Sequence, residues 1–345
     1  MSENVTCPYC TEPVRQAAGE PSAAWRIYSC AQCLEAFVVR PDKSGTRTTP
    51  ARPPAAITDC IAAGSVMHGV IKVLDESIKH LPTVPAAPQR VLGAIHDPLT
   101  TSADLASIIH EDAVFSMRVL HVTNSVAFAG RQTVKDLRNA CARLGLRNLA
   151  NIAHVVAQGH LYRSVNPAYA EIMEQFWQHA VATAHLAESF AGAVPGVPKN
   201  SIFLMALVHD IGKTVLLDAI TNRYKGRAGR LKDSQELLLG TLTKFGPYAG
   251  LRVVQHWGLA PEIRFATFYS ALPSAAPEPH RPGAYLIALA SAVADACGYG
   301  IGSESQEVAQ DLAAELAHHL GVANLGKVIA GADDAIAPFL DLAKA

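Results

Sequence analysis

A surplus of charge of either sign is the first thing this 345-residue chain lacks: 29 Lys and Arg stand against 30 Asp and Glu, and only 17% of residues are charged. A near-zero balance supplies no whole-molecule attraction to phosphate backbones, which excludes a globally basic nucleic-acid binder. Aromatic residues are scarce, at 6% with three Trp, and too scattered to build a base-stacking platform. Long apolar runs are also missing. The two longest, Asn148–Tyr162 and Gly283–Ala294, carry His154 and His160 or run into Asp295. Neither reaches the roughly 18 residues of a membrane span, so no membrane association is expected. The opening MSENVTCPYC has no basic segment followed by an apolar one. No secretory signal is therefore expected, which favours the cytoplasm. Seven cysteines, an odd number, argue against a fully disulfide-paired design.

What is present divides by composition. Half of the residues are hydrophobic, enough to exclude global disorder and to build a substantial core. Residues 1–40 hold four of the cysteines, residues 41–57 hold four prolines and no periodicity, and residues 58–345 are rich in Ala, Leu, Val and Ile. The middle stretch reads as a semi-extended linker.

Cys7-Pro-Tyr-Cys10 and Cys30-Ala-Gln-Cys33 are two C-x2-C pairs separated by nineteen residues. Each pair fits a tight turn that aims two thiolates at one point, and two such turns make a tetrahedral zinc site. Short strand-like runs occur at Trp25–Tyr28 and Phe37–Arg40. Forty residues bury too little surface to fold alone, so the metal supplies folding free energy. This zone resembles a zinc ribbon. Four thiolates close the coordination shell, so this zinc is structural. Cys60, Cys141 and Cys297 read as small apolar residues.

The long zone carries helical spacing. Helices are expected over Ile61–His80, Ser102–Glu111, Asp112–Asn124, Asp136–Leu144, Leu146–Tyr162, Ala170–Ala193 and Lys199–Val208. Further ones are expected over Gln235–Phe245, Ala249–Trp257, Pro261–Tyr269, Gly283–Cys297, Ser305–Leu320 and Ala332–Ala343, the last interrupted by Pro338. Within it, Ala206-Leu-Val-His-Asp-Ile-Gly-Lys213 sets an imidazole beside a carboxylate after an apolar run. Such a pair can ligate a divalent metal that activates water or clamps phosphate. His179 and Asp295, both on apolar helices, are candidate further ligands, since an acid among alanines needs a partner or a metal. The competing reading makes His209-Asp210 a hydrogen-bonded pair, His179 a satisfied core histidine, Asp295 a surface acid at a partner groove and Lys213 a solvated cation. His154, His160, His185 and His256 have no metal-like spacing and read as ordinary.

Ordered along the chain are Leu81-Pro-Thr-Val-Pro85, Leu120-His-Val-Thr-Asn-Ser125, Ala140-Cys-Ala-Arg-Leu-Gly145, Trp177-Gln-His179, His209-Asp-Ile-Gly-Lys213 and Trp257-Gly-Leu-Ala-Pro261. With this series the chain resembles the HDOD family, a regulatory branch of the HD-domain superfamily, over about residues 75–300. The resemblance implies an all-α, HD-domain-like helical bundle, here preceded by the small β zinc ribbon. It also implies a choice. In HD phosphohydrolases a His…His-Asp…Asp set binds metal, and His179, His209, Asp210 and Asp295 match it by order and type. HDOD proteins are generally non-catalytic members of bacterial signalling. The Gly-Tyr-Pro signature of the cyclic-dinucleotide phosphodiesterase branch is absent, Lys244–Ala249 carries no histidine, and Phe268-Tyr-Ser270 stands where paired histidines belong.

The expected function is a non-catalytic bacterial regulator that works through protein–protein contacts, with the ribbon as a second recognition module. One alternative is a metal-dependent phosphohydrolase of nucleotides or cyclic dinucleotides. It would use Mg, Mn or Fe at the four HD residues, with Lys213 beside the phosphate. Another is a nucleic-acid-associated regulator reading phosphate through the ribbon, where Arg40, Lys43, Arg47 and Arg52 give a modest basic bias. Oligomeric state stays open.

Overall fold

The computed structural model describes Leu74, residues 77–81, 85–128, 130, 132–163, 166–223, 235–301, 306–323 and 325–340, and Leu342. Within the first 51 residues it gives only the backbone of short strands. β1 (Val5–Thr6) pairs antiparallel with β2 (Pro13–Val14). β3 (Arg26–Ser29), β4 (Ala36–Pro41) and β5 (Thr48–Ala51) form an antiparallel sheet in that order. β5 falls in the stretch read from sequence as a semi-extended linker without periodicity. Cys7, Cys10, Cys30, Cys33 and Cys60 lie outside the described residues, so the ribbon's metal site does too.

From residue 85 onward the regular structure described is helical. The elements are α1 (Ala86–Ala94), α2 (Ser102–His110), α3 (Ala113–Thr123), α4 (Leu137–Gln158), α5 (Ala170–Phe190) and α6 (Ile202–Leu207). They continue with α7 (Ile211–Arg223), α8 (Gln235–His256), α9 (Pro261–Tyr269), α10 (Arg281–Ala294), α11 (Gln306–Leu320) and α12 (Leu325–Leu340). Side-chain caps set several starts. Thr101, one residue before the expected Ser102, makes a reciprocal capping box with Asp104 at α2. Asp112 accepts from the Phe115 amide at α3, and Asp136 from the Asn139 amide at α4.

Several expectations are corrected. α1 and α7 were not anticipated as helices. The two helices expected over Gln235–Trp257 are one, α8, which carries Pro247 inside it. The last helix starts at Leu325, and Pro338 sits within it without ending it. The break expected at Gly145 is real: its φ of 71° lies in the left-handed region that glycine adopts without a Cβ clash, and it separates two helical stretches of α4.

α5 is the axis of the body. It packs against α10, α6 and α12, while α8 lies along α7. Its buried side includes Met173, Phe176, Trp177, Ala180, Val181 and Leu186. Trp177 is enclosed, and its indole N–H donates to the Leu340 carbonyl at 3.1 Å, tying α12 to the core. The α7–α8 contact is a backbone-to-backbone crossing. A Cβ on Gly212 would stand 1.9 Å from the Gly246 carbonyl oxygen and 2.2 Å from the Gly250 nitrogen. This close approach fixes the start of α7, where the chemistry of the next section sits.

Candidate metal centre

α6 ends at Leu207, and a turn over Val208–Asp210 leads into α7. His209 and Asp210 occupy that turn, Lys213 the first turn of α7, and His179 the middle of α5. Ser291 lies near the end of α10, and Asp295 and Tyr299 in the wide helical turn that follows it.

The hydrogen bonds fix both imidazole tautomers. His209 Nδ1 lies 2.7 Å from the Ala206 carbonyl oxygen and must donate to it. That leaves the His209 Nε2 lone pair buried and without a hydrogen-bond partner among the described residues. His179 Nδ1 faces two acceptors, the Tyr299 carbonyl and Asp295 Oδ1, each at 3.1 Å, so it carries the proton. Its Nε2 then accepts from the Ser291 hydroxyl at 3.1 Å, with the Thr183 hydroxyl at 3.5 Å. The two rings are 5.3 Å apart, centre to centre. Asp210 Oδ2 is 3.5 Å from His209 Nε2 and 3.9 Å from His179 Nε2. Ligand atoms of His179, His209 and Asp210 all lie within 4.8 Å of one another.

Asp295 does not join this group. It holds the opposite edge of the His179 ring, so three of the four candidate ligands converge and the fourth orients one of them. Lys213 is not a solvated cation: its ammonium meets Asp210 Oδ2 at 2.5 Å. Burial pushes the Asp210 carboxyl up, but Lys213, then His209 and His179, outweigh it and hold the carboxyl well below its usual range. Burial lowers His209 to about 4, against the opposing pull of Asp210, so this ring is neutral near pH 7. Burial, with Asp210 adding to it, raises the Tyr162 phenol; its hydroxyl donates to the Leu207 carbonyl at 3.4 Å and braces the chain before the His-Asp turn.

In donor chemistry the set fits one divalent cation: two neutral imidazoles with free or displaceable Nε2 lone pairs, and a carboxylate. The ammonium of Lys213 supplies the positive charge that such an ion would bring. Sequence reading missed Thr183, Ser291 and Tyr299. The first two carry a spacing signal, since Thr183 is four residues after His179 and Ser291 four before Asp295, each on the same helix face as its neighbour. Tyr299 contributes a backbone carbonyl, which no side-chain pattern marks.

From residue 85 onward the described body is all-helical and carries a His/His/Asp group. The HDOD domain family matches residues 81–273, more than half of the chain, and the protein belongs to that family. A protein of Treponema pallidum (strain Nichols) with no assigned function is 26% identical over 227 residues, and this match covers 63% of the chain. The chain spans 42% of that relative's length. Among solved structures, a provisionally named metal-dependent phosphohydrolase from Shewanella amazonensis SB2B aligns with a TM-score of 0.57 at 22% identity, covering 81% of this chain and 98% of that one. A provisionally named signal transduction protein from Marinobacter aquaeolei VT8 aligns with a TM-score of 0.55 at 17% identity, covering 93% and 77%. At these identities the two structures speak for the fold. No helix among the described residues is long and apolar enough to cross a membrane.

Proposed function

We propose that the protein is a bacterial signalling module of the HDOD family that acts through protein–protein contacts, with its His/His/Asp centre serving structure instead of hydrolysis. The observation that carries this reading is the Lys213 ammonium on Asp210. A cation built into the chain neutralises the carboxylate, and Asp295 is committed to the back of His179. With Gly-Tyr-Pro and the additional histidines absent from their places in the sequence, too few ligands are at hand among the described residues for a two-metal phosphodiesterase. The test is a turnover assay. Purified protein with manganese, iron or magnesium is offered nucleotides, cyclic dinucleotides and a chromogenic phosphodiester. No turnover above buffer is expected. Hydrolysis that vanishes in Asp210→Ala would overturn the reading.

One observation favours a second reading, the metal-dependent phosphohydrolase: the orphaned Nε2 of His209 points at a missing partner. His179, His209 and Asp210 would hold the ion. When bound, a divalent ion acidifies a water and neutralises phosphate charge. In this chain Tyr299 and Asp295 orient His179, the Ala206 carbonyl orients His209, and Lys213 neutralises Asp210 or a phosphate oxygen.

For the N-terminal zone the proposal is a structural zinc held by Cys7, Cys10, Cys30 and Cys33. Elemental analysis should find about one zinc per chain, lost in the double variant Cys7→Ser, Cys10→Ser. Phosphate contact through Arg40, Lys43, Arg47 and Arg52 belongs to the nucleic-acid alternative. It would show as salt-sensitive nucleic-acid binding that disappears when these four are neutralised.

A further inference from the structure

A cavity of about 260 Å³ opens between α1, α4, the end of α5 and the start of α6, away from the His/His/Asp centre. Its volume is somewhat below that of drug-sized ligand sites and suits a small metabolite. Basic groups dominate its polar lining: His96 from the turn after α1, Arg147 and His154 from α4, and Lys199 before α6.

Among the described residues the lining holds one acid, and it is already occupied. Glu188 accepts a 2.8 Å hydrogen bond from Asn151, and Arg147 Nε approaches its other oxygen at 3.8 Å. Lys199 is exposed and has no acidic partner among the described residues. His154 is partly exposed on the cavity wall, and its ring makes no hydrogen bond to any described residue, so its nitrogens are open to a ligand. Apolar side chains of Leu92 and Phe203 complete the wall and would cover the uncharged body of a ligand.

We propose that this cavity binds a small phosphomonoester, with His154, Arg147 and Lys199 as its anion contacts. A dianion matches the charge of the lining once His154 takes part: Arg147 and Lys199 bring two positive charges, Glu188 offsets one of them, and His154 brings an imidazole that can take up a proton once the anion arrives. Burial, with His96 adding to it, pushes His154 down to about 4 in the free protein, so the ring is neutral before binding. The arrangement would make this face of the domain a sensor of a phosphorylated metabolite, independent of chemistry at His209-Asp210.

The experiment is a calorimetric titration of the full chain with ribose 5-phosphate, with histidine-selective NMR at the same pH. Saturable binding is expected, together with movement of the His154 ring resonances toward the imidazolium form. His154→Gln and Lys199→Met should each weaken binding about tenfold or more, a loss of ~1.4 kcal/mol per factor of ten. Lys199 is exposed, so its replacement keeps the test decisive even if His154→Gln fails to fold. Absence of binding at concentrations of about 10 mM, where free energies of association are near −3 kcal/mol, would overturn the proposal. So would binding that persists unchanged in Lys199→Met with His154 still neutral.

Discussion

The pair that decides this domain's chemistry is Asp210 and Lys213. Both are largely enclosed, with side-chain exposures of 14% and 20%, and the contact is charge-assisted. Removing one member of such a pair leaves a buried charge uncompensated, which costs more than the pair itself contributes. Lys213→Met should therefore lower the unfolding free energy by about 2–4 kcal/mol in urea at pH 7. The double variant Lys213→Met, Asp210→Asn should recover most of that loss, and the double-mutant cycle isolates the coupling. Manganese should raise the melting temperature of Lys213→Met more than that of the parent, because an added cation replaces the missing ammonium. Residue types made the candidates visible in the sequence, since an adjacent His-Asp after an apolar run is unusual. The sequence did not show that Lys213 would reach back to Asp210, or that Asp295 would turn to the Nδ1 edge of His179. Those depend on the first turn of α7 and on the wide turn after α10.

At the scale of elements, the α7–α8 crossing positions the His-Asp turn. Gly246 and Gly250, spaced by four, place two glycines on one face of α8, and Gly212 faces them from α7. The structure makes these glycines steric requirements. Gly212→Ala would drive a methyl into the Gly246 carbonyl, and is expected to cost about 3 kcal/mol or more, or to prevent folding. Gly240 is the contrast, since nothing lies within 4 Å of a Cβ there. Gly240→Ala should stabilise α8 by about 0.5–1 kcal/mol, read as a rise in the urea midpoint. The sequence reading put Gly246 in a break between two expected helices and left α7 unread, so neither side of this crossing was anticipated. The apolar residues of α7 are spread around the whole helix, and periodicity marks helices that are apolar on one side only.

Across the whole molecule, buried histidines govern the response to acid. Burial pushes His185 down to about 3, in a site between the rings of Phe203 and Phe339. His154 stands at about 4. Both values lie below the ordinary 6.5, so the unfolded chain binds more protons than the folded one between these limits. Stability is then fully present above pH 6.5 and is lost as pH falls toward 4. Each such histidine should cost about 2 kcal/mol between pH 7 and pH 5, seen in urea midpoints. His185→Leu should lose correspondingly less over that interval, and a parent curve flat from pH 7 to pH 5 would contradict the account. Below the ordinary carboxylate range Asp210 adds a second loss, because its folded value is depressed. The sequence by itself determined the helical class, the break at Gly145 and the family. Those follow from apolar spacing, from glycine's freedom at positive φ and from the order of short motifs along the chain. Only the tertiary structure decided which ionisable groups meet. It brought His179, 30 residues before His209, to the same point and left Asp295 on the far side of the ring. It also placed His154, unremarkable in the sequence, on the wall of a cavity, with no hydrogen-bond partner among the described residues. Pairing among residues distant in the chain depends on how helices cross, and that crossing is set by contacts such as Gly212 on Gly246, which no local pattern encodes.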